Sequence, residues 1–346
     1  SRMTTTQIPG LGAVCANGLS KETIFESCLQ GRSSVGPDGL ASLSPADWEQ
    51  LQKTTPEPFN ASRAGQLSFQ AAQEALKESR WTPADLRDAG FILASTTSQI
   101  DQWERDLPFY RKPEATPSRI QRAISNQSLG TPLLSLARHF GVQGPVAHLA
   151  SSCSASLQAL AMATLWIRSG KVERCLVGGV EIQSDLTRTG FQSLRLLTKG
   201  FASPFDKRRA GINLGEGGAF LCLETKGLSR GAPVWGEIIG VGLSSDAYHA
   251  TAPHPEGRGS LQAMRMALEM SGRSAPDVDW IYAHGTGSPA NDTTEAKAIH
   301  ALFPHRPPVT STKSSHGHTL AACGVLESVL GLMAMGNGKT LPTFNY

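Results

Sequence analysis

A cysteine in a segment of small residues is the first feature of this sequence that could do chemistry. Cys153 lies in Leu149–Leu157, where an apolar strand pattern ends in Ala-Ser-Ser and a helical pattern begins. A side chain at a helix N-terminus meets the positive end of the helix dipole, which lowers the pKa of a thiol from its ordinary ~8.5. The segment therefore predicts a reactive thiolate, although one more buried cysteine explains this segment alone equally well.

A histidine followed by a glycine-rich turn is the second such feature. His284 follows the predicted strand Val278–Ala283 and precedes a predicted helix. Open α/β sheets place their ligand sites at such strand ends, although a lone histidine here is more often an ordinary loop residue. The hydroxyl groups of Thr286 and Ser288 beside it suggest hydrogen-bond donors for an extended ligand.

The third feature combines a second histidine with a pair of opposite charges. His318 begins the predicted helix Thr319–Met335, and a helix N-terminus keeps an imidazole neutral. A neutral imidazole can donate a hydrogen bond to an oxyanion or to a thioester carbonyl. Lys313 and Glu327 are expected to form an ion pair that flanks this histidine.

Composition excludes several classes of protein. The chain has 346 residues, of which 40% are hydrophobic, and its 32 basic and 29 acidic residues give a net charge of +3. Such a balance argues against a disordered chain and offers no general case for nucleic acid binding. The longest uncharged apolar stretch, Ser154–Ile167, is shorter than the ~20 residues of a membrane span. We therefore predict a cytoplasmic protein with no membrane and no nucleic acid partner.

The cysteine pattern gives no metal site. None of the six cysteines forms a Cys-x-x-Cys pair, so a zinc knuckle is not expected. Those in apolar runs, such as Cys175 and Cys222, are typical of small buried residues in a reducing cytosol.

Strand patterns alternate with helical patterns, which predicts a mostly parallel sheet covered by helices. The predicted strands of the first part are Gln7–Val14, Phe91–Ser95, Val146–Ser151, Arg174–Val180 and Ala219–Glu224, and its helices are Lys21–Leu29, Gly65–Glu78 and Ser154–Arg168. The predicted strands of the second part are Val234–Leu243, Val278–Ala283 and Pro308–Thr312, and its helices are Ser260–Met270, Thr293–Leu302 and Thr319–Met335.

The order βαβαβα therefore occurs twice, which predicts two halves related by a pseudo-dyad, residues 3–230 and 231–346. The last helix of each half is apolar nearly all round and is expected to be buried between sheets. A five-layer αβαβα stack satisfies both conditions. The second half lacks the two strands that follow the third helix of the first half, so we expect roughly 50 further residues after Tyr346, the alternative being a naturally short half.

Taken together, Cys153, His284-Gly-Thr286 and Lys313-Ser-Ser-His-Gly-His318 resemble the β-ketoacyl–acyl carrier protein synthases of the elongating type, condensing enzymes of the thiolase superfamily. Three further segments agree with this family. They are Gly178-Gly-Val-Glu181, Pro204-Phe-Asp-Lys-Arg-Arg-Ala-Gly211 and Gly215-Glu-Gly217. The resemblance covers nearly the whole chain and implies the thiolase-like fold.

The resemblance implies a decarboxylative Claisen condensation in fatty acid or polyketide and polyene synthesis. Cys153 would hold the acyl chain as a thioester, and the two histidines would promote decarboxylation of malonyl carrier protein. Lys313 and Glu327 match the charged pair beside the second histidine. Thr286 and Ser288 match the hydroxyl residues that bind the phosphopantetheine arm. No metal or organic cofactor is implied, because phosphopantetheine carries the substrates.

The resemblance also implies partners. Acyl carrier protein is acidic in this family, and its docking needs a basic rim. The candidates for this rim are Lys207, Arg208 and Arg209, with Arg119 and Arg122 as second choices. An ordinary solvated basic loop explains the first three equally well. The enzyme is expected to be a homodimer, or a heterodimer with a related ketosynthase subunit.

Rival interpretations remain. A non-catalytic partner subunit like the chain-length factors would share the fold but lack the nucleophile, whereas this chain has Cys153, His284 and His318. Thiolases differ from this chain in the sequence context of their histidines. Initiating synthases differ in the identity of the third catalytic residue, which is His318 here. A cysteine hydrolase would need a partner that orients a single histidine.

The sequence departs from the family at two places. The family's Gly-Ala-Ala-Gly is Ala321-Ala-Cys323-Gly324 here. The family's Gly-Phe-Gly-Gly segment, which supplies the second oxyanion-hole amide, is absent from the sequence. We therefore expect that the oxyanion hole keeps only the amide of Cys153 and that the enzyme catalyses condensation poorly.

Overall fold

The computed structural model describes residues 5–346, and of Asn126 only the backbone. The start of the predicted first half, residue 3, lies outside the described residues. The strands are β1 (Thr6–Cys15), β2 (Gly90–Ala94), β3 (Val146–Leu149), β4 (Arg174–Glu181), β5 (Gly217–Thr225), β6 (Glu237–Ile238), β7 (Ile281–Tyr282) and β8 (Val309–Thr310). The helices are α1 (Lys21–Leu29), α2 (Pro45–Thr54), α3 (Arg63–Ser79), α4 (Pro83–Asp88), α5 (Ile100–Tyr110), α6 (Pro117–Asn126), α7 (Thr131–His139), α8 (Ala155–Arg168), α9 (Asp185–Ser193), α10 (Arg258–Ser271), α11 (Pro289–Leu302), α12 (Lys313–His316) and α13 (Cys323–Gly336).

Six strands form one mixed sheet in the order β3-β2-β4-β5-β1-β6. β2 is parallel to β3 and to β4, whereas β5 is antiparallel to β4 and β1, and β6 is antiparallel to β1. The prediction of a mostly parallel sheet was therefore wrong. Parallel strands need a crossover connection that returns the chain to the same end of the sheet. The chain between β4 and β5 instead leaves β5 running in the opposite direction.

Both faces of this sheet are covered, and β2 shows how. Phe91 and Leu93 point into the core cluster on the α3 face, whereas Ile92 and Ala94 point into the cluster formed with α8 and α13. This alternation is the two-residue period of a strand. Helices therefore lie on each side of the large sheet.

A second, two-stranded parallel sheet lies on the far side of α13. Ile281 of β7 packs in the cluster that includes Ile299 of α11 and Leu268 of α10, whereas Tyr282 packs on the α13 side. The order of layers is helix, sheet, helix, sheet, helix, as predicted. α13 is the more buried of the two central helices, because Leu157 and Leu165 of α8 are exposed.

The two halves share a close packing of strand on helix. In each half, two glycines lie so near a long helix that a Cβ atom would overlap a helix carbonyl oxygen. These neighbours are Gly10 with Ala75 and Gly12 with Ala71 in the first half, and Gly240 with Ala267 and Gly242 with Ala263 in the second. The same spacing of glycines and alanines supports the predicted pseudo-dyad.

The predicted strand Val234–Leu243 was largely wrong. Only Glu237 and Ile238 form a ladder, and their partner is β1 of the large sheet. Among the described residues 5–346, no strand pairs with residues 239–243. A segment without a hydrogen-bonded neighbour is not a strand, however suitable its side chains are.

Candidate functional site

Cys153 lies at a tight bend between β3 and α8. The 3-10 turn Ser152–Ser154 precedes the helix, and Ser152 has a φ of +51°. Left-handed backbone at a non-glycine residue is uncommon and marks functional sites. The thiol of Cys323 contacts the carbonyl oxygen of Cys153 at 3.2 Å, so the start of α13 braces this bend.

The sequence-based prediction of a thiolate at Cys153 was wrong for the resting protein. Burial raises the pKa of this thiol, and the nearby ammonium of Lys313 offsets only part of that effect. Desolvation disfavours a charged sulfur more strongly than the short turn at the helix start favours it. The fold therefore raises the pKa of Cys153, whereas the sequence predicted a lowered one.

The structure brings Cys153, His284 and His318 together. The sulfur and one ring nitrogen of each histidine lie within 4.8 Å of one another. The two imidazoles stand edge to face, with ring centroids 5.2 Å apart and an interplanar angle of 86°. Three chain segments that are distant in sequence thus converge on one point.

His284 is held as a neutral imidazole with a defined tautomer. Its Nδ1 atom lies 3.4 Å from Nζ of Lys313, and because an ammonium group only donates, Nδ1 accepts and Nε2 carries the proton. Burial lowers the pKa of His284 well below its usual value, and the charge of Lys313 adds to this effect. The Nε2–H group is left free to donate into the site.

His318 has the same tautomer for a different reason. The backbone N–H of Leu320 donates to Nδ1 of His318 at 3.1 Å, so Nε2 again carries the proton. Burial lowers the pKa of His318 well below its usual value, and Lys313 and the other histidines lower it further. The backbone N–H of His318 donates to the carbonyl oxygen of Asn213 at 2.7 Å, which fixes the main chain at this point.

The trio has the ligand types of a zinc site, but its surroundings do not fit one. A histidine that binds a metal through Nε2 normally donates its Nδ1–H group to an acceptor. Here Nδ1 of His284 faces the ammonium of Lys313, and Nδ1 of His318 faces the N–H of Leu320. If Nε2 bound a metal, the Nδ1–H group of each ring would therefore face another hydrogen-bond donor.

Lys313 and Glu327 form the expected ion pair at 2.6 Å, and both side chains are buried. Burial alone would lower the pKa of Lys313, but the carboxylates of Glu327 and Glu295 outweigh it and hold that pKa above its usual value. Burial raises the pKa of Glu327 to about 7, while Lys313 opposes the rise. Lys313 also donates to the carbonyl oxygen of His284 at 2.7 Å.

Two carboxylates that the sequence analysis left without a role, the half-buried Glu295 and the buried Glu181, fix the loops of the site. Glu295 accepts the backbone N–H groups of His284 and Gly285 at 2.7 and 2.8 Å. Glu181 accepts the N–H groups of Thr97 and Ala321 at 3.0 and 3.3 Å. Glu295 lies in the first turns of a helix that follows a glycine-rich loop, and this position is the signal that could have identified it.

A second missed feature is a buried hydrogen-bond chain beneath the site. Nδ1 of His316 lies 2.7 Å from the carbonyl oxygen of Gly317 and therefore carries the proton, so its Nε2 accepts from the hydroxyl of Thr312 at 2.7 Å. Thr312 in turn accepts from the phenol of Tyr282. Burial lowers the pKa of His316 to about 3. These hydrogen bonds link β7, which leads to His284, with Gly317, which precedes His318.

The two residues expected to bind phosphopantetheine lie in the glycine-rich turn that follows His284. Thr286 and Ser288 are buried, and the hydroxyl of Thr286 donates to that of Ser288 at 3.0 Å. Asp292 accepts the N–H of Gly287 at 3.1 Å and that of Phe205 at 2.8 Å. The loop that carries the basic candidates is thus tied to the glycine-rich turn.

The three basic candidates differ in how free their charges are. Arg208 forms two hydrogen bonds with Asp206, at 2.9 and 3.1 Å. Arg209 donates to Thr293 at 2.6 Å and braces the loop against α11. Lys207 is exposed, and within the part of the chain that the structure describes no acidic group forms an ion pair with it. Lys207 therefore offers the freest positive charge of the three.

None of the helices among the described residues is long and apolar enough to cross a membrane.

The comparisons with known proteins agree with this geometry. Residues 5–227 match the N-terminal domain and residues 235–346 the C-terminal domain of β-ketoacyl synthases. A 3-oxoacyl-[acyl-carrier-protein] synthase 2 from Synechocystis is 31% identical, over 98% of this chain and 87% of the relative. Nodulation protein E from Rhizobium meliloti is 30% identical, over 98% of this chain and 88% of the relative.

A solved structure, the ishigamide ketosynthase/chain length factor, has a TM-score of 0.88 and 28% identity, and the match covers 99% of this chain and 88% of that one. Both domains of a single family are thus matched in order and at nearly full coverage. The chain belongs to the β-ketoacyl synthase family, acyltransferase-type condensing enzymes of thiolase-like fold.

Proposed function

We propose that Cys153 is the acyl-carrying nucleophile of this condensing enzyme. In the first half-reaction its sulfur attacks the carbonyl carbon of an acyl thioester and forms a new C–S bond. The sulfur of the carrier leaves and takes up the proton that the Cys153 thiol releases. The observation that carries this proposal is the convergence of the Cys153 sulfur with the ring nitrogens of His284 and His318.

In the second half-reaction a malonyl thioester loses its carboxylate as CO₂. The electron pair of the broken C–C bond forms an enolate, which attacks the carbonyl carbon of the acyl group on Cys153. The Cys153 sulfur then leaves as a thiolate and takes up a proton from water, and a 3-oxoacyl thioester is released. Covalent catalysis thus divides one difficult acyl transfer into two easier steps.

The two neutral imidazoles are proposed to stabilise the enolate oxygen. Each has its proton on Nε2, because Nδ1 accepts from Lys313 in His284 and from the Leu320 amide in His318. Donors that are fixed before the reaction cost no reorganisation when negative charge develops. Lys313 and Glu327 are positioning residues in this account, since Lys313 holds both the ring and the backbone of His284.

The substrates are proposed to arrive on the phosphopantetheine arm of an acidic acyl carrier protein, with no other cofactor. The name of the Synechocystis relative supports this carrier. Lys207, Arg208 and Arg209 are the proposed docking residues, with Lys207 carrying most of the attraction, and Thr286 and Ser288 are proposed to bind the arm. All six cysteines are free, as is usual in a reducing compartment, and we propose the cytoplasm.

A dimer is proposed for the assembly, either of two copies or with a related subunit. The ketosynthase/chain length factor structure supports the second form. A non-catalytic role for this chain itself is not favoured, because the nucleophile and both histidines converge.

The test is a condensation assay with octanoyl and malonyl carrier protein. The protein should release CO₂ and 3-oxoacyl product in equal amounts, whereas Cys153→Ala should give no product. Cys175→Ala, which alters a buried cysteine of β4, is the matched control and should stay active. Product formation by Cys153→Ala would contradict the proposal.

A further inference from the structure

A cavity of about 240 Å³ lies beside the small apolar cluster in which Cys153 packs. Its walls include Leu40, Leu214 and Leu320, and these three side chains belong to the small apolar cluster that also contains Cys153. Leu320 is the residue whose amide fixes the tautomer of His318. The cavity therefore shares its apolar wall with the residues packed around Cys153.

The far wall of this cavity is polar, unlike the wall near the sulfur. Side chains from α5, α9 and the start of α3 line it. The charged ones are Arg63, Asp101, Glu104, Asp185 and Arg188. Two cationic and three acidic groups leave no excess of positive charge, so the wall offers hydrogen bonds rather than a site for an anion.

Most of these charged groups are already engaged. Glu104 accepts the backbone N–H groups of Asp185 and Leu186 at 2.9 and 2.7 Å and so caps the start of α9. Arg188 pairs with Asp185 at 2.7 Å. These contacts build the wall and leave little capacity for a ligand.

Asp101 and Arg63 are the exceptions. The Oδ1 atom of Asp101 is buried and has no hydrogen-bond partner among the described residues. The guanidinium of Arg63 stacks over Trp48 at 4.8 Å, and no hydrogen bond of its nitrogen atoms is found in the described part of the chain. Burial raises the pKa of Asp101, and the backbone N–H of Gln102 and the charge of Arg63 offset only part of this effect. A buried oxygen without a partner is costly and is the kind of group that a bound ligand satisfies.

We propose that this cavity receives the acyl group held on Cys153 and selects acyl groups of medium length whose far end carries a hydroxyl group, and that Asp101 is the specificity-determining residue. This inference rests on the proposed role of Cys153. A saturated chain would bury its methyl end against unsatisfied polar atoms. A hydroxyl at that end satisfies the Oδ1 atom of Asp101 instead.

The size of the cavity sets the length at which this selection applies. At the ~30 Å³ that a water molecule occupies in the liquid, 240 Å³ holds roughly eight heavy atoms. An octanoyl chain is therefore about the longest that the cavity can hold, whereas a butyryl group leaves most of it unfilled.

The experiment measures the rate of Cys153 acylation by intact mass, using N-acetylcysteamine thioesters of butyrate, octanoate and 8-hydroxyoctanoate. The wild-type protein should take up 8-hydroxyoctanoyl about 10-fold faster than octanoyl. Asp101→Leu should reverse that preference and leave butyryl uptake within twofold. Asp106→Leu, on the same helix but paired with Arg105, is the matched control and should behave as wild type.

The outcomes separate this inference from the function on which it rests. A wild-type preference for octanoyl over 8-hydroxyoctanoyl would overturn the inference, as would an Asp101→Leu variant with the wild-type ratio. Butyryl uptake on Cys153 in either case would leave the proposed function standing. Failure of every thioester to acylate Cys153 would instead overturn both.

Discussion

The ammonium group of Lys313 lies 2.7 Å from the backbone carbonyl oxygen of His284 and 3.4 Å from Nδ1 of the same residue. One buried cation therefore fixes both the main chain and the tautomer of His284. Its own charge is balanced by Glu327 at 2.6 Å. The ion pair thus positions His284 in the site.

Removing one member of the Lys313–Glu327 pair should lower the free energy of unfolding more than removing both members. Lys313→Met leaves the Glu327 carboxylate buried without a partner, and we expect a loss of about 3 kcal/mol or more in the free energy of unfolding. Lys313→Met combined with Glu327→Leu should lose less than the single variant. Urea unfolding of the four proteins of the cycle measures this. Additive losses in the double variant would show that the two groups do not interact.

Removing either histidine should separate the two half-reactions. His284→Ala and His318→Ala each remove one Nε2–H donor, and each should slow malonyl decarboxylation by about 10²–10³. Acylation of Cys153 should persist, because it does not form the enolate. The two rates are measured by CO₂ release and by intact mass. A variant that still decarboxylates at the wild-type rate would remove that histidine from the mechanism.

The site was more predictable than the sheet that supports it. Cys153, His284 and His318 lie in short local motifs, and their residue types suggest a chemistry before any packing is known. The antiparallel course of β5 depends on how a long loop returns to the sheet, which local patterns do not encode. Residues 234–243 have suitable strand side chains, but pairing requires a neighbour that the pattern cannot supply.

The electrostatic properties of the site were also not predictable from the sequence. The position of Cys153 at a helix start suggested a lowered pKa, whereas burial raises it. The depth of burial is a property of the whole fold and not of the segment. The roles of Glu295 and His316 were missed for the same reason, since their partners are identified only by the folded backbone. The boundary between the halves at residue 230 stays a prediction.

Acid should destabilise the protein through its buried histidines. His316 has a pKa of about 3 when folded and an ordinary value of 6.5, so between these pH values the unfolded chain binds more protons. Stability is therefore full above pH 6.5 and falls as the pH drops toward 3. When the pH is lowered from 7.5 to 5, the free energy of unfolding of His316→Leu should fall by about 2 kcal/mol less than that of the wild type.

Urea unfolding at the two pH values checks this expectation. The variant starts from a lower stability, because Thr312 and the Gly317 carbonyl lose a partner, so only the difference between the two pH values is compared. Equal losses in both proteins would mean that His316 is not held neutral by the fold.

Lys207 should contribute more to carrier docking than Arg208, because the guanidinium of Arg208 is paired with Asp206. Lys207→Glu should lower kcat/KM for carrier-bound substrates by about tenfold, and more at low salt, because exposed charges act mainly on association. The same variant should use N-acetylcysteamine thioesters normally. Arg208→Glu is the matched control and should show the smaller effect. An equal loss with both kinds of substrate would place Lys207 in catalysis rather than docking.

The central claim is that Cys153 carries the acyl chain through the reaction. Its most direct test is peptide mapping after incubation with octanoyl carrier protein, followed by a chase with malonyl carrier protein. We predict one octanoyl group, on the peptide that contains Cys153, which disappears in the chase as 3-oxodecanoyl carrier protein forms in equal amount. An octanoyl group on another residue, or one on Cys153 that survives the chase while product forms, would contradict the account.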